Sequence, residues 1–322
     1  MASFPFDHAV AALRAVAEPT RLRVVAALWE IELTVGELCH VLGQTQPRVS
    51  RHLRVLGDAG LIERQAEGSF AFYRPTSDPV GYQLVVDVLA RLEHGDPTLE
   101  NDRDRIGRVR AERAEQAAAY FEEIAGRWDA VREQLVADGE VEKAVLELMG
   151  DGAVGHLLDI GTGTGRILEL AADRIERGTG IDLSREMLNL ARSRLDQLGH
   201  RHCSVLHASA YDLGLDPESV DVAVMHHVLH FLDDPAGAIA QAARALVPGG
   251  SLIVVDFAPH GEEWFRDRYQ HRYLGFDEDT VVRWCRRAGL DGSVVHRLAR
   301  DADDALTTLI WHVTKPIDWS TQ

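Results

Sequence analysis

The chain has 322 residues and 46% hydrophobic content, enough for two packed domains rather than one. Its net charge of −17 argues against nucleic acid as a partner for the whole surface, but residues 1–75 balance eight arginines against eight acids, and residues 44–75 set five arginines against three acids. No apolar run approaches the ~20 residues of a membrane span, no basic-then-apolar leader opens the chain, and Cys39, Cys203 and Cys285 are too few and too scattered for a disulfide framework, so a cytoplasmic protein is expected.

Residues 6–30 read as a helix pair, with Asp7 placed to cap the first helix and Leu22, Val25, Ala26 and Trp29 at helical spacing in the second. Thr34 caps a helix over 35–42, with Glu37 as its capping-box partner. Gly43 breaks the chain. Thr45 caps a further helix over 46–58, in which Pro47 is tolerated in the first turn. Val49, Leu53 and Leu56 fall at i, i+4 and i+7 and face inward, while Gln46, Arg48, Ser50, Arg51 and Arg54 fall outward. Arginine reads guanine edges or phosphates, glutamine reads adenine, and serine or threonine reads either. Gly60 ends the helix. Residues 61–65 and 69–74 then form a hairpin wing around Ala66-Glu67-Gly68, with Arg64 and Arg74 on its arms.

The run Gln44-Thr45-Gln46-Pro47-Arg48-Val49-Ser50-Arg51-His52-Leu53, followed by Leu56 and Gly60-Leu61-Ile62, resembles the winged helix-turn-helix repressors of the ArsR type over roughly residues 8–92. The resemblance implies a homodimer reading a two-fold DNA operator through Thr45, Gln46, Arg48, Ser50, Arg51, Arg54, Arg64 and Arg74. Metal-sensing members carry a Cys-x-Cys pair on the first helix of this motif. Here that stretch is Glu37-Leu38-Cys39-His40-Val41-Leu42, whose one Cys and neighbouring His face different sides of a helix, so Cys39 is expected to be structural and no metal site is expected. An apolar helix over 78–93, with Leu84, Val85, Val88, Leu89 and Leu92, is suited to pairing with a second copy. His94-Gly95-Asp96-Pro97 reads as a hinge. Residues 99–137 read as charged, Ala-rich helix, and 99–116 as a solvated spacer.

The second half is organised around His156-Leu157-Leu158-Asp159-Ile160-Gly161-Thr162-Gly163-Thr164-Gly165-Arg166. It reads as a buried strand, a glycine turn on which a ligand can lie close to the backbone, and a helix whose N-terminus faces that turn. A dinucleotide fingerprint would place a glycine where Arg166 stands. The pattern instead resembles motif I of the class I S-adenosylmethionine (SAM) methyltransferases. The resemblance implies that Gly161, Gly163 and Gly165 make room for the methionine part of SAM and that Asp159 helps to position it. Asp182 ends the next strand, where its carboxylate can accept both ribose hydroxyl protons. Upstream, residues 118–129 resemble the aromatic helix that covers the SAM pocket in many small-molecule methyltransferases, with Tyr120 and Trp128 as candidates to line it.

Ser184 caps a helix over 185–198, and residues 203–207 form a third strand. In many such enzymes the next turn holds an Asp for the adenine amino group. The aligned position here is Ser209, with Tyr211 and Asp212 just beyond. A fourth strand runs into Met225, His226 and His227. Strand ends are where an open α/β sheet holds its ligand, so Met225 and His226 are expected beside the cofactor and His227 and His230 near an acceptor. After a fifth strand over 251–257, an insert carries Asp256, His260, His271 and Arg272 as acid/base or recognition candidates, with a water-exposed loop as the competing reading. Two last strands, 293–298 and 306–314, complete the likeness, which covers about residues 118–315.

The expected architecture is therefore two-domain. Residues 1–97 form a mostly α winged helix-turn-helix head, 98–137 a helical linker with a pocket-covering helix, and 138–322 a Rossmann-like α/β methyltransferase body with seven strands. The combination resembles bacterial two-domain regulators that respond to S-adenosylhomocysteine (SAH) and control methionine-cycle genes. It implies a transcriptional regulator whose body binds SAM or SAH. The rival expectation is a working methyltransferase, with His227, His230 and His260 as catalytic candidates, that carries a DNA-binding head.

Overall fold

The computed structural model describes residues 4–67, 70–76, 78–93, 95–113, 138–150, 152–269, 271–298 and 306–317. It divides into two compact units, Met1–Glu115 and Gln116–Gln322. Among the described residues no helix is long and apolar enough to cross a membrane. The expected pocket-covering segment with Tyr120 and Trp128 lies outside the described residues.

The first unit runs α1 (Phe6–Val16), α2 (Pro19–Glu30), β1 (Leu33–Thr34), α3 (Val35–Leu42), α4 (Gln46–Asp58), β2 (Ile62–Glu67), β3 (Phe70–Pro75), α5 (Pro79–Leu89) and α6 (97–113). The helix caps are partly those the sequence predicts. Thr34 and Glu37 form a complete capping box. Asp7 sits inside the first turn of α1 rather than capping it, and Glu18 caps α2 by accepting from the Arg21 N–H at 2.8 Å. Thr45 occupies the N-cap position of α4, but its hydroxyl makes no capping bond. Val24, Leu28, Leu38, Val41, Val49, Leu53 and Leu56 meet in one core. A three-stranded sheet of order β1-β3-β2 closes it.

The solvated-spacer reading of 99–116 is corrected. Asp102, Ile106 and Val109 are buried at 3%, 2% and 3% exposure, and the two apolar side chains join the core of the head. Arg23 grips Asp102 with two hydrogen bonds of 2.7 and 2.6 Å. Arg105 donates to the Val41 carbonyl and Arg110 to the Glu30 carbonyl. Arg113 pairs with Glu37, the capping-box acid of α3. The charged face of α6 is thus spent on the head, and this helix belongs to the first unit rather than to a linker starting at residue 98.

The second unit contains α7 (Asp138–Leu148), β4 (Val154–Ile160), α8 (Arg166–Ala171), β5 (Ile175–Asp182), α9 (Arg185–Leu198), β6 (Cys203–His207), β7 (Val220–His226), α10 (Pro235–Ala245), β8 (Leu246–Phe257), α11 (Trp264–Tyr269), α12 (Glu278–Arg287), β9 (Asp291–Leu298) and β10 (Thr308–Thr314). Its seven strands are ordered β6-β5-β4-β7-β8-β10-β9. The five strands β4 to β8 run parallel, and β10 lies antiparallel between β8 and β9. Strand alternation splits the core in two. Leu157, Val222, Val224 and Ile253 pack under α7, α8 and α9, whereas Leu158, Ala223, Met225 and Leu252 pack under α10 and α12. The strand order reverses between β4 and β7, which opens a crevice at their C-terminal ends.

Candidate cofactor cleft, histidine cluster and DNA-reading face

The glycine turn forms that crevice. Gly161, Gly163 and Gly165 have φ of 75°, 52° and 78°, a left-handed path that side chains with a Cβ rarely follow. The turn hangs on the neighbouring strand. The N–H groups of Gly161 and Thr162 both donate to the Ile181 carbonyl, and the Gly163 N–H donates to Asp182 Oδ2 at 2.9 Å. A Cβ on Gly161 would collide with Val228, while the space above Gly163 is open. Asp182 also accepts from the Ser184 N–H at 2.8 Å. A carboxylate has about four lone-pair positions, so both oxygens retain capacity for a diol. The helix after the turn is short, six residues, and Arg166 at its start is tied to Glu142 and Glu169.

Asp159 is 1% exposed; its Oδ2 accepts from the Thr162 hydroxyl at 2.6 Å, and its Oδ1 has no partner. Burial pushes its carboxyl up to about 7, against the Thr162 bond and helped by the Asp182 charge. An orphaned carboxylate oxygen beside an open glycine cradle fits a cationic ligand. A second carboxylate at a strand end fits a ribose. Together the residues present fit SAM or its product SAH.

Past β6, Ser209 pairs with Asp212 in a single bridge, and Ser209 Oγ accepts from the Tyr211 N–H. The Tyr211 hydroxyl accepts from the Asp234 N–H at 2.9 Å, which occupies it at the start of α10. Met225 is fully buried at the end of β7 beside Ile160 and Val254. His226 follows it half-buried, and burial takes its imidazole down to about 4, against the Glu142 and Asp256 charges.

Next to this cleft the structure gathers every histidine singled out after β7. His227 has φ 53°, a left-handed conformation unusual for a side chain with a Cβ, and its Nδ1 is buried without a partner. His230 Nδ1 lies 2.8 Å from Asp256 Oδ1. Asp256 is fully buried on β8 and also accepts from the Phe257 N–H. Burial raises its carboxyl, but His230 and these bonds outweigh that and hold it below the usual range. His271 stacks on His230 with ring centres 4.0 Å apart, and His260 lies edge-on to Phe257. Burial lowers His227, His260 and His271, the last to about 3, so these rings are neutral at pH 7. Asp256, His260 and His271 therefore belong to one enclosed cluster rather than to an open loop. Arg272 does not join it: its side chain pairs with Asp233 at the surface.

On the head, Thr45, Gln46, Arg48, Ser50, Arg51, Arg54 and Arg64 are all exposed, and Val49, Leu53 and Leu56 are buried beneath them. Arg74 is corrected. Antiparallel register sets it opposite Glu63, on the other face of the hairpin from Arg64. Its guanidinium is held by Glu63 at 2.5 Å and by Glu32 at 3.4 Å, which leaves it unavailable to a phosphate. Cys39 is half-buried, and burial raises its thiol.

Residues 18–64 match the family described as "Bacterial regulatory protein, arsR family", and residues 158–254 match "Methyltransferase domain". The transcriptional regulator KmtR of Mycobacterium tuberculosis is 36% identical over 88 residues, 27% of this chain and 67% of that protein. The ubiquinone biosynthesis O-methyltransferase of Aromatoleum aromaticum is 30% identical over 188 residues, 53% of this chain and 80% of that protein. The chain belongs to both families. Its arsR head is a DNA-binding domain, and its methyltransferase body has the Rossmann-like fold. The body covers 99% of the YcgJ protein of Bacillus subtilis, using 55% of this chain, with a TM-score of 0.50 at 15% identity, a likeness of fold. The chain spans about half the length of the demethylmenaquinone methyltransferases it also matches.

Proposed function

We propose that the protein is a dimeric transcriptional repressor whose methyltransferase body senses SAM or SAH and thereby alters operator binding, in control of genes of the methionine and SAM cycle. The observation that carries this reading is one chain holding both an unpaired arginine face on an arsR head and a carboxylate-lined glycine cradle. Among the described residues Arg48, Arg51, Arg54 and Arg64 have no ion-pair partner, so the face is free for DNA. Phe6 and Leu13 on α1 and Tyr82 on α5 are exposed at 81%, 52% and 44%, apolar side chains that a second copy could cover. Two heads must meet half-sites about 34–36 Å apart, so a small change in their spacing breaks simultaneous contact. The ligand must bind the two head arrangements unequally, or it shifts nothing.

The test is fluorescence anisotropy on the protein's own promoter DNA at fixed salt, titrated with SAM and separately with SAH. A several-fold change in DNA affinity with one ligand supports the sensor and names the signal. DNA binding that neither ligand changes sinks it. A second reading, methyl transfer to a small acceptor, is favoured by the histidine cluster beside the cleft. SAM is already a strong electrophile, so such an enzyme need only position the acceptor and take up its proton. His227, His230 and His260 are then the groups that touch it.

A further inference from the structure

The cluster contains a charge that no arginine or lysine among the described residues balances. Asp256 is 0% exposed, and its partners are the His230 ring and the backbone N–H groups of His230 and Phe257. A buried carboxylate needs a cation close by. His230 is held in place from both sides: its N–H lies 3.3 Å from Asp256 Oδ2, and its carbonyl accepts from the Arg272 and Tyr273 N–H groups. His227 is fixed by the bond from its N–H to the Val255 carbonyl, while its Nδ1 has no partner. One nitrogen or oxygen from each of His227, His230 and Asp256 falls within 4.8 Å of the others. Phe257 packs against the His227 and His230 rings and Phe231 against the His230 ring, apolar neighbours on part of the group.

We propose that His227, His230 and Asp256 hold a divalent transition-metal ion. Two imidazoles and one carboxylate are the donor set of open zinc and iron(II) sites, which leave positions for a further ligand. A magnesium or calcium site would call for more oxygens. The doubly charged ion balances Asp256 and retains one positive charge, so the added ligand is an anionic oxygen or sulfur donor such as a phenolate, enolate or thiolate. The ion lies beside the cofactor cleft, because Val228, next to His227 in the chain, packs against Gly161 of the glycine turn. This site goes beyond both functional readings above: a sensor would use it as a second input and an enzyme as the anchor for its acceptor. It is separate from the arsR head, whose Cys39 and His40 face different sides of α3.

The experiment uses the untagged full chain, stripped with a chelator and titrated with Co2+ under visible spectroscopy and with Zn2+ by calorimetry. The expected result is one equivalent bound per chain, with d–d bands in the cobalt spectrum that vanish on adding Zn2+. His227→Gln and Asp256→Asn each weaken this binding roughly 100-fold or more, and Cys39→Ser leaves it intact. His227 is half-buried, so its variant serves if the Asp256 variant fails to fold, which a SAM titration of each variant reports. No stoichiometric binding to the wild-type chain overturns the proposal. So does binding that survives both body variants or is lost in Cys39→Ser. None of these readouts depends on DNA binding or on methyl transfer.

Discussion

Asp159 should make SAM binding by the body depend on ligand charge and on pH. Without ligand its carboxyl titrates at about 7, because burial at 1% exposure penalises the anion. SAM carries a sulfonium charge that SAH lacks, and a cation above the cradle favours the ionised form. Binding therefore expels the proton, and SAM affinity rises with pH until Asp159 is ionised in the free protein. At pH 6 roughly one chain in ten is ionised and at pH 8 roughly nine in ten, so SAM should bind about tenfold more weakly at pH 6, about 1.4 kcal/mol. His226 titrates near 4, so it does not contribute within this window. The same shift acts on stability in the opposite direction. The folded carboxyl holds its proton more tightly than the unfolded one, so this group's contribution is present below about 4 and is lost as pH rises through about 7. Calorimetry of SAM and SAH between pH 6 and 8 measures the slope, which should be steeper for SAM. Asp159→Asn should flatten it and narrow the gap between the two ligands. A slope that persists in that variant would show that another group titrates, and the account of the cradle would be wrong.

Four further variants probe named contacts. Arg51→Ala should weaken operator binding roughly tenfold and leave SAM affinity unchanged, whereas Arg74→Ala should leave DNA affinity nearly intact and lower the melting temperature of the head; gel shift and calorimetry separate the two. Asp102→Ala strands the half-buried Arg23 guanidinium and should cost roughly 3 kcal/mol, a drop on the order of 10 °C for a unit of this size; an unchanged melting curve would restore the solvated-spacer reading. Asp182→Ala should reduce SAM and SAH binding together by about 100-fold, since both ribose hydroxyls and the Gly163 N–H lose their acceptor; wild-type calorimetry on that variant would place the pocket elsewhere.

What the sequence makes legible is what local backbone chemistry dictates. The glycine turn can be read because three alternate left-handed positions, 161, 163 and 165, favour glycine, and α4 because Val49, Leu53 and Leu56 repeat at helical spacing over an outward row of arginines. What stays hidden depends on partners far along the chain. The arginines of α6 look solvated until Val41, Glu30 and Glu37 are brought to them by folding. A faint signal was present, since Asp102, Ile106, Val109 and Arg113 follow at intervals of four, three and four along one helical face. Arg74 looks equivalent to Arg64 until the hairpin register puts them on opposite faces, with Arg74 on the side of buried Phe72. The pairing of His230 with Asp256 likewise needs β7 and β8 to be neighbours, a matter of strand order rather than of spacing.

The way α6 is fastened sets where the head can be cut. A fragment ending at residue 97 would look natural, since it stops just past a Gly-Asp-Pro turn. It would discard two apolar side chains that fill the core and every arginine that α6 lends to the head. Arg23 would lose its carboxylate, and Glu37 would lose its cation. Such a fragment would expose a fresh greasy groove and aggregate or melt early, and its poor DNA binding would be mistaken for a requirement for the body. The smallest head that can be judged on its own extends at least through Arg113.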